Sequence, residues 1–525
     1  MATGAELTYN TNATALQMAD AIFGNGVTVV GASYTGDNRS SATYANGNAL
    51  SPGVVPGDTG VILSTGQAAS FTQSNGDPNR STQTSTDTSG PNGNAQLNAL
   101  AGATTYDAAI LDVDFIPTGN MLTMKFVFSS DEFPEYSSSQ FNDVFGVWIN
   151  GSLVPLGVGN DVAGVNNLAS AASSNLLVSN TNDAYNTEMD GFTITLSLNI
   201  PVIAGVVNSI RIGIADVVDA RYDSNLLIAG NSGQTTLVAV HDDTTMYVGQ
   251  TKTLNVLGND VNTTGGTLTI THINGIAISV GQTITLASGD QVRLNADGTL
   301  TIITDADADE VNFTYTLTSS TGDSTVGIVT VDTIPCFVAG TLIRTPEGEV
   351  PVERLDVGDL VETMDHGPQE VRWVGRRIVA AREKLAPVLI EAGAFGPHGT
   401  LMVSPQHRIL VRNSHAELLF GETEVLIAAK DLVNGGSVRV MEGGWVEYVH
   451  LLFDRHEVVF SQGLATESFL PGPQTARSFD REIVEEILTI FPEIDLATGD
   501  GYSPAARRTL KAHEAKVLVA SGLAA

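Results

Sequence analysis

The sequence contains a single cysteine, Cys336, at a point where its composition changes. Residues 1–335 contain 7 Lys and Arg and 31 Asp and Glu, a net charge of −24, whereas the remaining residues contain 18 and 27, a net charge of −9. Seven of the nine histidines also follow Cys336. Imidazole near a thiol is an arrangement that activates cysteine as a nucleophile. We therefore predict that one module ends at Pro335 and that a reactive module begins at Cys336.

The reaction open to Cys336 is attack on the carbonyl of Pro335, which replaces an amide by a thioester. Because nucleophile and carbonyl belong to one chain, little entropy is lost in bringing them together. The protein must still supply a base for the thiol, a proton donor for the departing nitrogen and donors for the oxyanion. A lone cysteine is, however, more often a small buried apolar side chain. An inert thiol is therefore the alternative interpretation of Cys336.

Three ordered segments of the C-terminal part resemble the Hint (Hedgehog/intein) family, most closely its bacterial form in secreted proteins. The first opens with Cys336-Phe337-Val338-Ala339-Gly340-Thr341 and continues over 352–361, the second contains Ser404-Pro405-Gln406-His407, and the third covers 448–459. The resemblance implies an all-β domain over residues 336–470. It also implies a single-turnover cleavage of the Pro335–Cys336 bond that requires no cofactor.

The same resemblance implies roles for individual side chains. His407 occupies the position of the histidine that hydrogen-bonds the scissile amide nitrogen, and Ser404 stands where the family motif usually has threonine. His456 is our candidate for the later proton transfer, with His450 and Asp454 as further candidates. Zinc is not expected, because one cysteine and scattered histidines provide no C-x-x-C or H-x-x-x-H ligand spacing.

The sequence departs from the family pattern in two places. Inteins end with a His-Asn pair, and the corresponding residues 464–470 contain no asparagine, so splicing is not expected. The carboxylate that assists the hedgehog reaction has no secure counterpart, since Gly375 and Arg376 lie nearest to its position. We therefore expect cleavage in which water, a thiol or an amine attacks the thioester.

Residues 1–235 predict a β-sandwich, because short apolar runs alternate with turns rich in Gly, Asn and Asp. Segments Gly60–Gly66, Ser129–Tyr136 and Gln140–Trp148 resemble the choice-of-anchor L family of bacterial surface domains. This resemblance implies display outside the cell and marks no residue of the domain as catalytic. We expect the partner of this domain to be an extracellular ligand that the sequence does not identify.

Residues 236–333 predict an immunoglobulin-like sandwich, because turns interrupt alternating apolar and polar runs every 8 to 12 positions, roughly the spacing of such domains. Residues 255–261 resemble the cadherin-like repeats of secreted bacterial proteins. Three aspartates at alternating positions, Asp305, Asp307 and Asp309, could gather oxygens around Ca2+. A solvated acidic loop explains the same pattern equally well.

Residues 471–525 predict a short helical tail. One helix is expected to start near Ser478, and a second to run from Ser503 to Val519 with Pro504 in its first turn. The tail is either an export address or a lid packed on the preceding domain. The N-terminus has neither the basic region nor the apolar stretch of a signal peptide. Together with the family resemblance and the helical tail, this favours type I secretion.

The whole chain carries a formal net charge of −33, which disfavours binding to nucleic acid or to anionic membranes. One cysteine allows no intramolecular disulfide, and no apolar run reaches the roughly 18 residues of a transmembrane helix. We therefore predict a mostly β, multidomain protein that is secreted or on the cell surface and cleaves itself. Two other classes stay open: a non-catalytic adhesin or structural protein with a degenerate, export-linked Hint domain, and a carbohydrate-binding or Ca2+-stabilised recognition protein.

Overall fold

The computed structural model describes residues 2–81, 83–134, 136, 141–156, 164, 175–246, 251–304, 311–333, 336–381, 386–420, 422–470, 503, 505–510, 515 and 518–519. The predicted Ca2+ ligands Asp305, Asp307 and Asp309 lie outside these ranges. Pro335, the predicted acyl donor, and the helix predicted to start near Ser478 also lie outside them.

Contacts divide the chain into two compact units. The first contains residues 1–242, 253–302 and 311–330, and the second contains residues 243–252, 303–310 and 331–525. Strands far outnumber helices in the described ranges, so the prediction of a mostly β protein is confirmed. No helix of the described part is long and apolar enough to cross a bilayer.

The described part of the N-terminal region contains two antiparallel sheets and three short helices. The helices are α1 (Ala15–Ile22), α2 (Gly47–Leu50) and α3 (Ala95–Ala101), and Ala68–Phe71 is a 3-10 turn. The strands are β1 (Thr8–Asn10), β2 (Val27–Thr35), β3 (Ser41–Ala45), β4 (Gly60–Ser64), β5 (Thr105–Pro117), β6 (Met121–Ser130), β7 (Val144–Ile149), β8 (Ser152–Leu153), β9 (Leu177–Ser179), β10 (Gly191–Thr193), β11 (Leu196–Pro201), β12 (Asn208–Val217), β13 (Ser224–Ala229) and β14 (Leu237–Val238). One sheet has the order β1-β3-β4-β13-β6-β10-β9, with β11 also on β6, and the other has the order β2-β5-β12-β7-β8.

These two sheets share one apolar core. Leu111 of β5 and Ile212 of β12 belong to the same cluster of buried side chains as Phe126 of β6 and Ile22 of α1. A strand that buries one face places alternate residues in such a core, which is the pattern that the sequence showed. The predicted N-terminal β-sandwich is confirmed.

The next region forms two further sheets, and it shares a third, two-stranded sheet with β14. Its strands are β15 (Asp242–Met246), β16 (Thr251–Leu254), β17 (Val261–Asn262), β18 (Leu268–Ile273), β19 (Ile276–Ala277), β20 (Thr283–Thr285), β21 (Gln291–Leu294), β22 (Leu300–Ile303), β23 (Val311–Ser319) and β24 (Ser324–Thr333). β24, β23, β18 and β19 are consecutive in one sheet, and β16, β22, β21 and β20 form the other. Phe313, Tyr315 and Leu317 of β23 are buried, as alternation along a strand requires. The immunoglobulin-like prediction is confirmed.

Over residues 336–470 the described part of the C-terminal region is β, apart from one short helix, α4 (Ser414–Phe420), and 3-10 turns at Val352–Arg354 and Ala429–Leu432. Its strands are β25 (Phe337–Val338), β26 (Leu342–Thr345), β27 (Gly348–Pro351), β28 (Leu360–Thr363), β29 (Gly367–Glu370), β30 (Trp373–Ala380), β31 (Val388–Ile390), β32 (Leu401–Val403), β33 (Arg408–Arg412), β34 (Glu424–Ala428), β35 (Val438–Val440), β36 (Trp445–Leu452), β37 (Val458–Ser461), β38 (Leu464–Glu467) and β39 (Arg508–Thr509).

The short strand β25 lies in the middle of a sheet with the order β30-β36-β25-β32-β31-β35. A second sheet has the order β27-β26-β37-β38-β33-β34-β39, with β28 on β37 and β29 on β28. Phe337 and Val403 of the first sheet belong to the same buried cluster as Ile409 and Val459 of the second. Cys336 therefore enters the domain at the centre of a sheet rather than at its edge.

The described part of the tail corrects one prediction. Arg508 and Thr509 form β39, which runs parallel to β34, and the N–H of Leu510 donates to Leu426 at 2.8 Å. The prediction of a helix from Ser503 to Val519 is therefore wrong over its first part. Within the described tail, helical backbone is found only at residues 515, 518 and 519. The edge of β34 offers unpaired backbone groups, and pairing with them outweighs the local helical preference.

Candidate active site

Ser404 holds the backbone of Cys336 from one side. β25 and β32 are antiparallel, with Phe337 opposite Val403, and the same register continued by one residue puts Cys336 opposite Ser404. The N–H of Cys336 donates to the Ser404 hydroxyl at 2.8 Å, and the N–H of Ser404 donates to the Cys336 carbonyl at 2.9 Å. The nitrogen of the bond predicted to break is therefore in contact with a hydroxyl group.

His450 approaches the thiol from the other side. β25 and β36 are also antiparallel, with Phe337 opposite Val449, so the register puts Cys336 opposite His450. The Cys336 Sγ lies 3.3 Å from the His450 Nε2, and the two residues are 4% and 1% exposed. A neutral imidazole at this distance can accept the thiol proton, and the resulting imidazolium stabilises the thiolate. The pair is a candidate nucleophile and base.

Aromatic side chains enclose the His450 ring. The Trp373 ring stacks on it with centroids 6.4 Å apart, and the Phe469 ring meets it edge-on at 5.8 Å. Gly375, which lies opposite His450 on β30, leaves the space that the indole fills, because a Cβ there would lie 2.2 Å from a Trp373 ring carbon. These contacts fix the orientation of the imidazole and exclude water from it.

His407 is buried beside the same strand. Its ring centroid lies 4.3 Å from that of Phe337. Within the part of the chain that the structure describes, neither ring nitrogen has a partner with full hydrogen-bond geometry. Burial lowers the pKa of His407 to about 4, although Glu467 and the backbone of Cys336 oppose this, so the ring is neutral near pH 7. The ring therefore interacts with the backbone of Cys336, and the bond from His407 to the scissile nitrogen stays a prediction.

His456 is fully engaged away from the thiol. Its Nδ1 accepts the N–H of Ala506 at 2.9 Å, so its Nε2 carries the proton and donates to the Ser468 carbonyl at 3.1 Å. His456 was the first candidate for proton transfer from the sequence, whereas the structure brings His450 to Cys336. Two histidines six residues apart in one motif cannot be told apart until the strand register is known.

Glu467 is a buried carboxylate that the sequence analysis missed. Burial alone would raise its pKa, but Arg408, and then His456 and His407, favour the charged form, and the pKa of Glu467 is lowered to about 2. The backbone N–H and the guanidinium of Arg408 donate to its two oxygens at 3.0 and 3.1 Å. The predicted candidate Asp454, by contrast, forms an exposed ion pair with an arginine. The only sequence signal for Glu467 was a lone acidic residue within residues 464–470.

Comparison with known families divides the chain into three parts. Residues 7–234 match the choice-of-anchor L domain, residues 234–332 match a bacterial Ig domain, and residues 335–473 match the Hint domain. No curated protein matches the chain. The match over residues 335–473 supports an autoprocessing type of module there. The other two matches are of kinds found in surface or extracellular proteins.

Solved structures similar to the chain include two of the intein type. One is the bacterial intein-like domain from Clostridium thermocellum, with 16% identity, 25% of this chain and 97% of that chain covered, and a TM-score of 0.20. Another is the MchDnaB-1 intein, with 16% identity, 25% and 98% covered, and a TM-score of 0.19. At these identities and TM-scores the matches assign no role to any residue. From the N-terminus onward, the chain thus matches the models of a choice-of-anchor L domain, a bacterial Ig domain and a Hint domain, in that order.

Proposed function

We propose that the Hint region cleaves the bond between Pro335 and Cys336 through a thioester. Residues 1–335 are then released to water or transferred to a thiol or amine. The observation that carries this proposal is the position of Cys336 between two polar side chains. Its Sγ lies 3.3 Å from His450 Nε2, and its backbone nitrogen lies 2.8 Å from the Ser404 hydroxyl.

The proposed step balances without an oxidant or a metal. His450 removes the proton of the Cys336 thiol, and the Sγ attacks the carbonyl carbon of Pro335 to form the S–C bond. The C–N bond then breaks, and the nitrogen of Cys336 takes up one proton to become an amine. The Ser404 hydroxyl is at hydrogen-bonding distance of that nitrogen and can deliver the proton. Overall, the proton that His450 took from the thiol replaces the one that Ser404 gave up.

His407 has a different part in this proposal. A buried imidazole whose nitrogens lack partners costs about 1–3 kcal/mol per unsatisfied group. Groups that find their partner only in the transition state lower the barrier without stabilising the substrate. The ring lies against Phe337, the residue after the thiol, and burial keeps it neutral with one N–H free to donate. We assign His407 to the charge that develops at the reacting carbonyl.

Secretion follows in this proposal from the nature of the N-terminal domains. Choice-of-anchor L and Ig-like domains are found in surface or extracellular proteins, and the bond that would be cut separates both of them from the Hint region. Self-cleavage would therefore free the two N-terminal domains together. We propose type I secretion as the export route, with an extracellular ligand for the released part.

Intact-mass measurement of the purified chain tests the cleavage. With an added thiol near neutral pH, the wild-type chain should yield fragments of residues 1–335 and 336–525, and Cys336→Ala should stay whole. His415→Ala, which removes an exposed histidine of α4, is the matched control and should cleave like the wild type. A wild-type chain that stays as uncleaved as the Cys336→Ala chain would rule out the proposal.

The second candidate function is a non-catalytic adhesin whose Hint domain is degenerate. It is favoured by the surroundings of the thiol, since Cys336 belongs to an apolar cluster with Val338, Val446 and Tyr448. Alkylation of the native protein distinguishes the two functions. A thiol activated by His450 reacts faster with iodoacetamide than a free cysteine does, whereas an inert thiol reacts only when the protein unfolds.

A further inference from the structure

The second step of the proposed reaction needs a base that the first step does not use. A neutral acceptor such as water must lose a proton as it attacks the thioester. His456, the candidate from the sequence, has both ring nitrogens engaged, with the N–H of Ala506 and the carbonyl of Ser468. His450 lies 3.3 Å from the sulfur and serves the thiol. The base for the acceptor must therefore be another group.

His407 is a buried imidazole that can accept a proton. Among the described residues neither ring nitrogen has a partner with full hydrogen-bond geometry, and the ring is neutral near pH 7 because burial lowers its pKa to about 4. Its ring centroid lies 4.3 Å from that of Phe337, and the ring interacts with the backbone of Cys336. One nitrogen of a neutral imidazole carries a lone pair. His407 thus places a proton acceptor beside the residue that would carry the thioester.

A buried carboxylate holds the residue next to His407. The antiparallel register of β33 and β38 puts Arg408 opposite Glu467. The backbone N–H and the guanidinium of Arg408 donate to the two oxygens of Glu467 at 3.0 and 3.1 Å. Glu467 is fully buried, and removing two charges from water offsets much of the attraction within a buried ion pair. Stability alone therefore explains this pair poorly.

Glu467 also acts on the charge of the His407 ring. Burial disfavours the imidazolium, and among the other groups near the ring Glu467 has the strongest influence, which raises the pKa of His407. Arg408 and His456 lower that pKa, each by less than Glu467 raises it. Glu467 itself stays ionised at neutral pH, since its pKa is about 2. The strength of His407 as a base therefore depends on this carboxylate.

We propose that His407 and Glu467 form the base of the second step: His407 takes the proton of a neutral acceptor, and Glu467 stabilises the imidazolium that results. This role rests on the proposed function, because it needs the thioester. Glu467 is a positioning residue that acts through His407 and exchanges no proton itself.

The proposed step balances without an oxidant or a metal. As the proton moves to a ring nitrogen of His407, the acceptor bonds to the carbonyl carbon of residue 335. The C–S bond then breaks, and the sulfur of Cys336 leaves as a thiolate. Overall, the proton that His407 took replaces the one that the sulfur lacks.

Acceptors that need a base and acceptors that do not need one separate this role from a structural one. Water is neutral and must lose a proton, whereas an aromatic thiol that is already ionised near pH 8 attacks without a base. Both acceptors use the same thioester, so a defect in the first step slows cleavage by both alike. A defect in the base slows cleavage by water alone.

Glu467→Gln keeps the shape of the side chain and an acceptor for the Arg408 N–H but removes the charge. In timed intact-mass spectra of the full chain, cleavage by water should be about 10- to 100-fold slower than in the wild type, and cleavage by the ionised thiol should change by less than about threefold. Glu467→Asp, which keeps the charge, should restore part of the rate with water. Glu424→Gln is the matched control, because it removes another carboxylate that arginines bind in the same region, and both of its rates should equal those of the wild type.

Three results would overturn this role. They are a Glu467→Gln chain that water cleaves as fast as the Glu424→Gln chain, equal slowing with water and with the thiol, and a wild-type chain that the thiol cleaves but water does not. A wild-type chain that neither acceptor cleaves refutes the proposed function itself, and this role with it. His407→Gln, compared by the ratio of the two rates, replaces Glu467→Gln if that variant does not fold.

Discussion

At the residue scale, the hydroxyl of Ser404 is the group in contact with the nitrogen that must leave. Ser404→Ala removes this hydrogen bond to the buried N–H of Cys336, and the loss of a partner by a buried donor costs about 1–3 kcal/mol. We expect cleavage about 10- to 100-fold slower, while Ser404→Thr, which keeps the hydroxyl, restores most of the rate. Timed intact-mass spectra measure both. A Ser404→Ala chain that cleaves at the wild-type rate would exclude Ser404 from the reaction.

The two histidines of the third motif should behave differently. His450→Gln removes the base beside the thiol, and we expect cleavage to fall by about 10²–10⁴-fold. His456→Gln instead breaks the bonds that hold residues 468 and 506, so we expect a lower Tm and a smaller effect on rate. Melting curves and cleavage rates of the two variants separate these effects. The assignment fails if His456→Gln slows cleavage more than His450→Gln at temperatures where both variants are folded.

Residue types predicted part of this site. Cys336 was singled out as the only cysteine, and Ser404 and His407 by their motif. The sequence could not predict that His450 is the histidine beside the thiol. This depends on which residue of β36 pairs with Phe337, and a shift of one residue would turn another side chain toward the thiol. Glu467 was missed because its charge is compensated only after folding brings Arg408 to it.

At the scale of elements, Gly375 of β30 helps to position His450, because its missing side chain leaves space for the Trp373 ring that packs on the imidazole. Gly375→Ala places a methyl group where the Trp373 indole lies and forces the ring to move away from His450. Overpacking of this kind costs about 1–3 kcal/mol, and we expect slower cleavage together with a lower Tm. Gly436→Ala is the matched control, because its Cβ meets only an Asn434 oxygen at 3.6 Å. A Gly375→Ala chain that matches this control in both measurements would contradict the account.

The tail should behave as part of the Hint region's structure. Leu510 follows β39 and is buried in the same cluster as Val425 of β34. Leu510→Ala should lower the stability of this region by about 2–4 kcal/mol, because it leaves a cavity in the core. Leu418→Ala, at a leucine that is 81% exposed, should change it by less than about 0.5 kcal/mol. Denaturant unfolding compares the two variants, and equal effects would mean that the tail does not support the domain.

At the scale of the whole molecule, the two units should respond to pH in opposite directions. In the first unit, burial raises the pKa of Asp143 and of Asp223 from 3.8 to about 7. The folded state then binds more protons than the unfolded state, so this contribution is complete below about pH 4 and is lost as the pH rises toward 7. In the second unit, burial lowers the pKa of His407 from 6.5 to about 4. Its contribution is present above about pH 6.5 and is lost as the pH falls through 4.

Hydrogen exchange checks this prediction. As the pH falls from 7 to 5, and after correction for the intrinsic exchange rate, the first unit should become better protected and the second less protected. Changes of the same sign in both units would contradict the prediction.

At this scale the fold types of the domains were predictable from the sequence, whereas the pairing of individual strands was not. Alternating patterns and turn residues predicted the two N-terminal sandwiches, because apolar and polar residues alternate along a half-buried strand and turn residues follow it. The course of the tail was not predictable, because Arg508 and Thr509 owe their extended conformation to β34, more than 80 residues earlier in the chain.

The hydrogen bond from the Ser404 N–H to the Cys336 carbonyl would survive cutting of the chain, since neither group belongs to the severed bond. At the thioester stage the freed amino group of Cys336 would thus stay clamped between two strands, beside the acyl group held on its own sulfur. By microscopic reversibility that amine can attack the thioester and restore the original peptide bond. Whether the cut becomes permanent would therefore depend on a race between this return and capture of the thioester by water or another acceptor.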